Sequence, residues 1–595
     1  MELKRLFDIP EYRRETNPSR PVFCYKESGE WKHLSVDTYI EKITLVSYGL
    51  LSLGLQRGDK VALVSTGRPE WNILDMAVQQ IGCVLVPIYP TISEEDYRYI
   101  LDNCEARLLF LESYDLTRKI RNVLPELEKI EGIYTFKPLP AAAEPLDQRK
   151  LGTLDDVMNL GSEHPQPALL QELKDSIGPR DLATIIYTSG TTGSPKGVML
   201  CHENILINIH GVEKTPKSYF TRSMSFLPLC HIYERMMNYF YQYMGYETYY
   251  PEGLSTVVND LKYARPYIMT AVPRFIEKMY DGIYRKGKKL KGFKRWIFQS
   301  AINHAQKYDL DGTTRCYERK RKIYDKLVYK TIRENFGGCL EMFVSGGAAI
   351  QPRLAKFFTC IGMDIYEGYG LTETAPVIAV SSREPNGRKL GTTGLPLPGL
   401  EVKILEDTNE VVCRGKSVML GYYKDPELTA KAIDKDGWFH TGDTGAFEPK
   451  GQLRITGRTK TMFKTSMGKY INPEIIEERF KESPFIQDMM VLGENQRFAA
   501  ALILPDFDFL KEWQERHGIH IESKDAMVAD KKTLARFQRV VDKYNESFGA
   551  TEQVKRFRVL NDSWTEANGC LTPTLKIKRN VVSRRCKNEI EHLFE

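Results

Sequence analysis

The sequence predicts an α/β protein with a large N-terminal domain and a small α+β C-terminal domain. Apolar strand-like runs alternate with helical patterns from about Val61 to Leu111, which is typical of a mostly parallel sheet packed against helices. The same alternation returns at Ala183 to Thr188, Tyr267 to Pro273 and Glu341 to Gly347. The 595 residues also exceed the roughly 100–200 residues of a usual single domain, so we expect at least two domains.

The pattern of the sequence changes twice in its last third. Between Gly394 and Ile455, short strand-like runs are separated by turn signals (PLPG, EPKG), which favours a β-rich subdomain. Beyond Arg458, an Asn-Pro pair opens a helical pattern, a hairpin-like pair of apolar runs follows, and the tail returns to helix. We therefore predict that residues 1–457 form layered α/β sheets plus the β-rich subdomain. Residues 458–460 link this large domain to a small α+β domain at 461–595.

Composition and charge exclude several classes of protein. Lys and Arg total 84 against 78 Asp and Glu, so the net charge of +6 gives no general argument for nucleic-acid binding. The eleven cysteines form no Cys-x-x-Cys pair, which favours free thiols in a reducing cytoplasm. The first residues lack the apolar stretch of a signal peptide. No apolar run approaches the roughly 20 residues that span a bilayer, so we expect a cytoplasmic protein whose membrane contact would be peripheral.

The most informative stretch is YTSGTTGSPKGVML, from Tyr187 to Leu200. Glycines allow backbone N–H groups to converge on an anion, Ser and Thr hydroxyls donate further hydrogen bonds, and Lys196 adds a positive charge. A flexible surface loop is the alternative for an arbitrary tract of turn residues. The spacing of a Walker A motif is absent, so any phosphate binding here has a different geometry.

The full string resembles the signature of the adenylate-forming superfamily, which includes acyl-CoA synthetases, luciferases and the adenylation domains of peptide synthetases. Further motifs of that superfamily follow in its usual order. They are FLPLCHIYER (226–235), VPRFIEKMY (272–280), SGGAAI (345–350), GYGLTETAP (368–376), GWFHTGD (437–443), ITGRTK (455–460) and LTPTLKIKR (571–579). The resemblance therefore covers nearly the whole chain and implies activation of a carboxylic acid by ATP.

The resemblance implies a role for individual residues in this reaction. A carboxylate attacks the α-phosphate while magnesium pyrophosphate leaves, so catalysis consists mainly of positioning and charge neutralisation. The residues implied to hold the β- and γ-phosphates are Thr188, Ser189, Gly190, Thr191, Thr192 and Lys196. Glu373 resembles the carboxylate that binds Mg²⁺. The nucleotide would be lined by the backbone of Gly346, Gly347 and Ala348, with Tyr369 stacked on adenine.

The remaining implied roles involve the α-phosphate, the ribose and the acyl group. Thr372 would contact the α-phosphate, and His231 would lie near the acyl carboxylate unless it is only a core histidine. Asp443 would accept from both ribose hydroxyls, and Arg458 would reach the ribose or α-phosphate. Lys576 matches the lysine that bridges the attacking carboxylate and the α-phosphate.

The resemblance also implies a mobile C-terminal domain. In this superfamily the small domain rotates after adenylate formation so that the thiol of coenzyme A can enter for the second step, and Lys460 matches the hinge position. Hinges absorb backbone rotation at a few residues between rigid elements. We therefore expect ATP, Mg²⁺ and coenzyme A to be required.

Long-chain fatty acids are the substrate class that the sequence favours. Residues 285–330, with KGKKLKGFKR and ERKRKIYDKLVYK, resemble an insertion of the long-chain fatty acyl-CoA synthetases. This basic segment could contact anionic lipid, attract the phosphates of coenzyme A, or be only a solvated helix face. The aromatic and Met-rich run after His231 could line an acyl tunnel or simply pack the core. Some long-chain relatives have a gating tryptophan where this chain has Arg235.

Two other functions compete with the acyl-CoA synthetase. A fatty acyl-AMP ligase would deliver the adenylate to a carrier-protein thiol instead of coenzyme A. A catalytically silent relative would act as a nucleotide sensor or scaffold, and would have lost residues such as Glu373, Asp443 or Lys576, all of which are present. A nucleic-acid-binding function would depend on the basic segment alone, without a recognition module. Chain-length preference and oligomeric state do not follow from the sequence.

Overall fold

The computed structural model describes most of the chain. The described residues are 3–141, 143, 146, 149–188, 195–253, 256–310, 312–458, 462–466, 470–572 and 576–595. Contacts divide the chain into two compact units. The larger comprises Met1–Lys403, Val412–His440 and Phe447–Arg454, and the smaller comprises Ile404–Val411, Thr441–Ala446 and Ile455–Glu595.

The larger unit contains a mixed sheet made of strands from both ends of its sequence. Its strands are β1 (Phe23–Glu27), β2 (Glu30–Leu34), β10 (Arg222–Met224), β11 (Glu247–Tyr250), β12 (Ile268–Ala271), β13 (Met342–Ser345), β14 (Asp364–Gly370), β15 (Val377–Val380) and β16 (Leu395–Pro396). The order is β16-β15-β14-β13-β12-β10-β11-β1-β2. Pairing is parallel from β14 to β1 and antiparallel at both edges.

A second sheet of the larger unit holds the predicted phosphate loop. Its strands are β3 (Lys60–Val64), β4 (Val84–Ile88), β5 (Ala106–Leu111), β6 (Gly132–Thr135), β7 (Lys150–Thr153), β8 (Leu182–Thr188), β9 (Lys196–Cys201) and β19 (Gly421–Tyr422). The order is β19-β9-β8-β4-β3-β5-β6-β7. It is parallel from β8 to β7, whereas β8, β9 and β19 pair antiparallel. The alternating pattern from Val61 to Leu111 thus forms parallel strands, as predicted.

Helices separate the parallel strands and cover both sheets. Those of the larger unit are α1 (Ile9–Thr16), α2 (Val36–Ser52), α3 (Pro69–Gln80), α4 (Glu94–Cys104), α5 (Thr117–Ile120), α6 (Leu154–Glu163), α7 (Pro167–Ser176), α8 (His202–Val212), α9 (Ile232–Tyr243), α10 (Val257–Ala264), α11 (Pro273–Lys288), α12 (Gly292–Ala305), α13 (Arg315–Tyr324), α14 (Lys330–Glu334), α15 (Pro352–Cys360) and α16 (Pro426–Ala432). A π-helical turn, Asp325–Tyr329, joins α13 to α14. N-cap residues in the sequence fix where two of these helices begin. Ser35 and Ser93 accept hydrogen bonds from backbone N–H groups at the N-termini of α2 and α4.

Burial explains why the central strands of both sheets are apolar throughout. Each residue of β4, β12 and β13 is buried, because helices cover both faces of a parallel sheet. One apolar cluster joins the second sheet to α4 and contains Val86, Leu109 and Ile133. Another joins the first sheet to α11, α12 and α15 and contains Phe343 and Phe358.

Short strands occupy the part of the sequence that predicts a β-rich subdomain. They are β17 (Glu401–Ile404), β18 (Glu410–Arg414), β20 (Phe439–Phe447) and β21 (Leu453–Arg458). The division between the two units falls within these segments, and residues 441–446 group with the smaller unit.

The smaller unit is an α+β structure, as predicted. Its strands are β22 (Phe463–Lys464), β23 (Tyr470–Ile471), β24 (Ile486–Leu492), β25 (Ala499–Pro505) and β26 (Val554–Val559), and its helices are α17 (Pro473–Phe480), α18 (Phe507–Arg516), α19 (Lys524–Ala529), α20 (Lys531–Asn545), α21 (Arg579–Arg585) and α22 (Lys587–Phe594). The Asn-Pro helix start is confirmed, since Asn472 accepts from the N–H of Glu474. The predicted hairpin is the antiparallel pair β24 and β25. No helix in the described part of the chain combines the length and apolar character needed to cross a bilayer.

Helices α2 and α6 are in backbone contact, and this close approach requires glycine. A Cβ on Gly161 would lie 1.9 Å from the carbonyl oxygen of Leu45, and one on Gly49 would lie 2.0 Å from that of Val157. We expect Gly161→Ala to force the helices apart and lower the free energy of unfolding by about 1–3 kcal/mol, as overpacking typically does. Thermal unfolding checks this. Gly178→Ala is the control, because nothing lies within 4 Å of its added Cβ; equal melting temperatures for the two variants would contradict the prediction.

Candidate active site

The predicted phosphate loop connects two antiparallel strands of the second sheet. Thr188 ends β8 and lies opposite Lys196, the first residue of β9. Both side chains are half-buried. The structure therefore brings the first and last of the predicted phosphate-binding residues together across the base of the loop. Ser189, Gly190, Thr191 and Thr192 lie outside the described residues.

Tyr422 links Lys196 to Glu373, the predicted magnesium ligand. β19 pairs with β9 so that Tyr422 lies opposite Val198, and the Lys196 ammonium lies 5.7 Å from the centre of the Tyr422 ring. The Tyr422 hydroxyl donates to Glu373 Oε1 at 2.8 Å. Burial and the Glu373 carboxylate raise the pKa of Tyr422, so its hydroxyl keeps its proton and remains a donor. One side chain thus contacts both a cation and a carboxylate.

The other nucleotide-binding residues predicted in the larger unit follow two neighbouring parallel strands. Gly346, Gly347 and Ala348 come after β13, while Tyr369 lies near the end of β14 and Thr372 just beyond it. Ser345 pairs with Glu367 in this parallel register. The carboxyl ends of parallel strands meet at one edge of a sheet, where α/β proteins bind their ligands. Tyr369, Thr372 and Glu373 are half-buried, and Gly347 and Ala348 are exposed.

His231 is the N-cap residue of α9, and the helix connects it to the loop after β13. Its Nδ1 accepts from the backbone N–H of Tyr233 at 3.2 Å. The Tyr233 hydroxyl donates to the carbonyl oxygen of Val344 at 2.7 Å, and a Cβ on Gly346 would lie 3.3 Å from the Tyr233 ring. The structure therefore places His231 beside one of the predicted nucleotide-binding segments, as a half-buried cap and not as a fully buried core residue.

Glu234 is a buried carboxyl that the sequence analysis did not single out. Ser225 donates to its Oε1 at 2.5 Å, and the Thr270 hydroxyl donates to its Oε2. Burial raises the pKa of Glu234 from its usual 4.5 to about 7, and the two hydrogen bonds act in the opposite direction. Glu234 lies in the first turn of α9, directly after Tyr233.

Arg235 occupies the position at which some long-chain relatives have a gating tryptophan. Its guanidinium is fully buried, forms an ion pair with Asp75 at 2.5 Å and donates to Tyr239 at 2.8 Å and to Thr184 at 2.7 Å. It also lies 5.1 Å from the centre of the Trp71 ring. A side chain held by a buried ion pair and further hydrogen bonds cannot swing freely, since breaking such a pair typically costs about 3–5 kcal/mol. Arg235 is therefore a fixed element of the core and not a gate.

In the smaller unit, Asp443 and Arg458 form a pair. Asp443 is buried in β20, and Arg458 ends β21 with its Nε 3.0 Å from Asp443 Oδ1. The backbone N–H of Asp443 also donates to Thr441 Oγ1 at 3.0 Å. The ion pair holds one oxygen of the Asp443 carboxylate in a defined direction.

Lys576 belongs to the electrostatic environment of this pair. Desolvation by neighbouring protein atoms and the charge of Arg458 lower the pKa of Lys576 to about 8, although the side chain keeps a large exposed area. Glu474 and Asp443 act in the opposite direction. Lys576 therefore titrates nearer to neutral pH than an ordinary lysine. Lys460, the predicted hinge residue, lies outside the described residues.

Comparison with known protein families matches most of the chain. The description "AMP-binding enzyme" matches residues 11–423, and "AMP-binding enzyme C-terminal domain" matches residues 461–595. The first match alone covers more than half of the chain. The chain belongs to the AMP-binding enzyme family. The resemblance to adenylate-forming enzymes seen in the sequence is thereby confirmed.

Named relatives of this AMP-binding enzyme match it over almost its whole length. The long-chain-fatty-acid–CoA ligase FadD15 of Mycobacterium bovis is 33% identical, over 98% of this chain and 96% of the relative. The human long-chain-fatty-acid–CoA ligase 6 is 31% identical, over 96% of this chain and 83% of the relative. One solved structure with a similar fold is the A-PCP didomain of a carboxylic acid reductase from Segniliparus rugosus in complex with AMP. It superimposes with a TM-score of 0.76 at 20% sequence identity, and the match covers 100% of this chain and 82% of that chain. This last likeness supports the α/β fold.

The residues of this AMP-binding enzyme suit ATP and Mg²⁺. Mg²⁺ in nucleotide sites typically takes one or two carboxylates together with phosphate oxygens and water, and Glu373 offers one half-buried carboxylate whose other oxygen is already oriented by Tyr422. Lys196 and the Thr188 hydroxyl provide a cation and a donor suited to phosphate oxygens. No motif in the sequence identifies Tyr422 as a partner of Glu373, because only the pairing of β19 with β9 brings the two residues together.

The raised pKa of Glu234 makes a prediction for stability against pH. The folded protein binds the proton of the Glu234 carboxyl more tightly than the unfolded chain does. Protonation of Glu234 therefore stabilises the fold fully below about pH 4.5, and this stabilisation is lost as the pH rises through about 7. We expect Glu234→Gln, which cannot ionise, to melt about 2–5 °C higher than the wild type at pH 8 and to differ less at pH 5. Glu128→Gln, at an exposed position, is the control. A constant difference between Glu234→Gln and the wild type at both pH values would show that Glu234 does not titrate in this range.

Proposed function

We propose that this AMP-binding enzyme is a long-chain-fatty-acid–CoA ligase. It uses ATP to convert a long-chain fatty acid to its acyl-adenylate, and then transfers the acyl group to coenzyme A. The products are acyl-CoA, AMP and pyrophosphate. The observation that carries this proposal is the near full-length similarity to long-chain-fatty-acid–CoA ligases of bacteria and man, combined with the arrangement of Lys196, Tyr422 and Glu373.

In the first step, a fatty-acid carboxylate oxygen attacks the α-phosphorus while the bond to the bridging oxygen of the β-phosphate breaks. Negative charge moves onto the leaving pyrophosphate, where Lys196 stabilises it. Glu373 would hold Mg²⁺, which would neutralise further charge on the same phosphates. Thr188 and the loop residues Ser189, Gly190, Thr191 and Thr192 donate to the same phosphates. Tyr422 keeps the Glu373 carboxylate in place by its 2.8 Å hydrogen bond, so little reorientation is needed when MgATP binds.

The nucleotide and the acyl group are oriented by further residues. The backbone of Gly346, Gly347 and Ala348 and the ring of Tyr369 contact the adenosine, and Thr372 contacts the α-phosphate. Asp443, held by Arg458, accepts from the ribose hydroxyls. His231 is near the acyl carboxylate, a role supported by its link through Tyr233 to the carbonyl of Val344.

Lys576 bridges the attacking carboxylate and the α-phosphate in this proposal. The ammonium form neutralises both anions, so the role requires the protonated side chain. Its pKa of about 8 leaves it mostly protonated at neutral pH. The division into a domain at 1–457, a hinge at 458–460 with Lys460 and a domain at 461–595 belongs to the same proposal, as does rotation of the C-terminal domain before coenzyme A attacks.

In the second step, the sulfur of coenzyme A attacks the acyl carbon and the bond to the AMP oxygen breaks. The alternative acceptor is the thiol of a carrier protein, as in a fatty acyl-AMP ligase. The names of the relatives quoted above favour coenzyme A. Peripheral contact with membranes through residues 285–330, and location in the cytoplasm, also belong to the proposal.

A panel of acids tests the proposed reaction. The purified protein is incubated with ATP, Mg²⁺, coenzyme A and acids from acetate to oleate, and AMP and thioester are measured. We expect both products chiefly with long-chain acids. Adenylate without thioester would favour the acyl-AMP ligase, and absence of turnover with every acid would refute the ligase.

Lys576→Ala separates the two steps of the same reaction. We expect adenylate formation to fall at least about a hundredfold, as loss of a charge-stabilising group at a reacting centre does. Transfer from chemically prepared acyl-adenylate to coenzyme A should fall much less, because Lys576 acts before that step. Lys578→Ala, two residues along the chain, is the matched control. An equal loss of rate in both half-reactions would contradict the proposed role of Lys576.

Tyr422→Phe tests how Glu373 is positioned. The variant keeps the ring beside Lys196 but removes the hydroxyl that donates to Glu373. Partners that orient a metal ligand typically contribute about 10–100-fold to metal affinity or activity, so we expect the Mg²⁺ concentration for half-maximal adenylate formation to rise by about tenfold. Tyr423→Phe is the control, because Tyr423 contacts Lys60 and Lys424 instead. An unchanged Mg²⁺ dependence would show that Tyr422 does not position this carboxylate.

A further inference from the structure

The start of α12 carries an exposed aromatic pair inside a strongly basic stretch of the larger unit. Phe293 is 70% exposed and Trp296 is 65% exposed. Their rings stack on each other, with centroids 5.6 Å apart and planes 16° apart. Every residue from Lys289 to Trp296 is exposed. An aromatic pair stacked in water, away from any core, favours a partner surface that is apolar in part.

The two rings lie on the side of α12 that faces away from the core. Residues three apart share a helix face, which places Phe293 and Trp296 together. The buried residues of α12 are Phe298, Ala301, Ile302 and Ala305, and at about 100° per residue they lie roughly a third to a half turn away from the two rings. Gly287 of α11 admits the Phe298 ring, since a Cβ there would lie 1.9 Å from that ring. The projecting turn is therefore anchored to a packed base.

The aromatic pair belongs to a segment of the sequence that is rich in basic residues and free of acidic ones. Between Asp281 and Asp309 the sequence contains no Asp or Glu. The basic residues within 285–296 are Arg285, Lys286, Lys288, Lys289, Lys291, Lys294 and Arg295. Lys289, Lys291, Lys294 and Arg295 are exposed beside the rings. Long basic side chains reach anionic headgroups while aromatic rings enter the interfacial layer of a bilayer.

We infer that residues 289–296 form a docking surface for a bilayer with anionic headgroups. Phe293 and Trp296 insert at the level of the headgroups, and the surrounding lysines and Arg295 contact lipid phosphates and carboxylates. A second exposed apolar pair, Ile323 and Leu327, lies beside exposed Lys322 and Lys326 in α13 and the turn after it, so the same combination recurs within the basic segment. The benefit for substrate supply rests on the proposed function, because fatty acids partition into bilayers.

Vesicle sedimentation with the full chain tests the surface without ATP, acid or coenzyme A. We expect the wild type to bind phosphatidylcholine vesicles that contain phosphatidylserine, and to bind pure phosphatidylcholine vesicles at least about tenfold more weakly. Phe293→Ser/Trp296→Ser should weaken binding to the anionic vesicles by about tenfold or more. The matched control is Tyr263→Ser/Phe447→Ser, which removes two exposed aromatic residues elsewhere and should bind as the wild type does.

Charge reversal provides the second arm of the test. Lys291→Glu/Lys294→Glu should abolish the preference for phosphatidylserine, whereas Lys531→Glu/Lys532→Glu, the same change of charge at exposed positions of α20, should not. Three results would overturn the inference. They are no vesicle binding by the wild type, binding by the aromatic variant that equals that of the wild type, and loss of the preference for phosphatidylserine in both charge-reversal variants. A raised KM for coenzyme A with unchanged vesicle binding in Lys291→Glu/Lys294→Glu would also overturn it and assign the lysines to coenzyme A.

Activity measured in detergent distinguishes this inference from the proposed reaction. With detergent-dispersed oleate, Phe293→Ser/Trp296→Ser should make acyl-CoA at the wild-type rate, because neither residue belongs to the proposed catalytic machinery. With oleate supplied in anionic vesicles, the same variant should be slower. If the wild type binds vesicles but turns over no acid, the proposed ligase reaction is refuted and the inferred docking surface is still supported.

Discussion

The hydrogen bond from Tyr422 to Glu373 is the interaction on which the candidate site of the larger unit depends. It joins two segments about 50 residues apart, and it exists because β19 adds to the edge of the sheet beside β9. The same pairing sets the Tyr422 ring beside Lys196. The proposed magnesium ligand Glu373 and the proposed phosphate-binding Lys196 must lie a few ångströms apart to act on one triphosphate. Backbone pairing, and not any local motif, fixes that separation.

Helix α9 combines structural and functional demands in one turn. His231 caps it, Tyr233 reaches the strand end beside Gly346, Glu234 is buried with two hydroxyl donors, and Arg235 pairs with Asp75. Buried charged groups are costly unless they are paired and hydrogen-bonded, so this arrangement tolerates little movement. A rigid α9 holds His231 in position relative to the loop after β13. The same rigidity removes Arg235 as a swinging gate for the acyl chain.

The basic segment 285–330 differs from these buried networks because its aromatic pair and many of its lysines are exposed to solvent. Phe298, Ala301 and Ile302 bind α12 to the core, which frees Phe293 and Trp296 to project with the lysines around them. An enzyme that acts on a poorly soluble acid benefits from working at the surface that holds it. The packed base and exposed tip together suit a peripheral contact that requires no spanning helix.

The sequence by itself determined the family, the α/β class, the Asn-Pro helix start at Pro473 and the hairpin of β24 and β25. These features depend on local periodicity and on short motifs whose chemistry is carried by neighbouring residues. Tertiary structure alone decided that Tyr422 serves Glu373, that Glu234 is buried with a raised pKa and that Arg235 pairs with Asp75, 160 residues away. It also decided which residues of the basic segment are exposed. Burial and partner identity depend on which distant strands and helices meet, and no local pattern of residues carries that information.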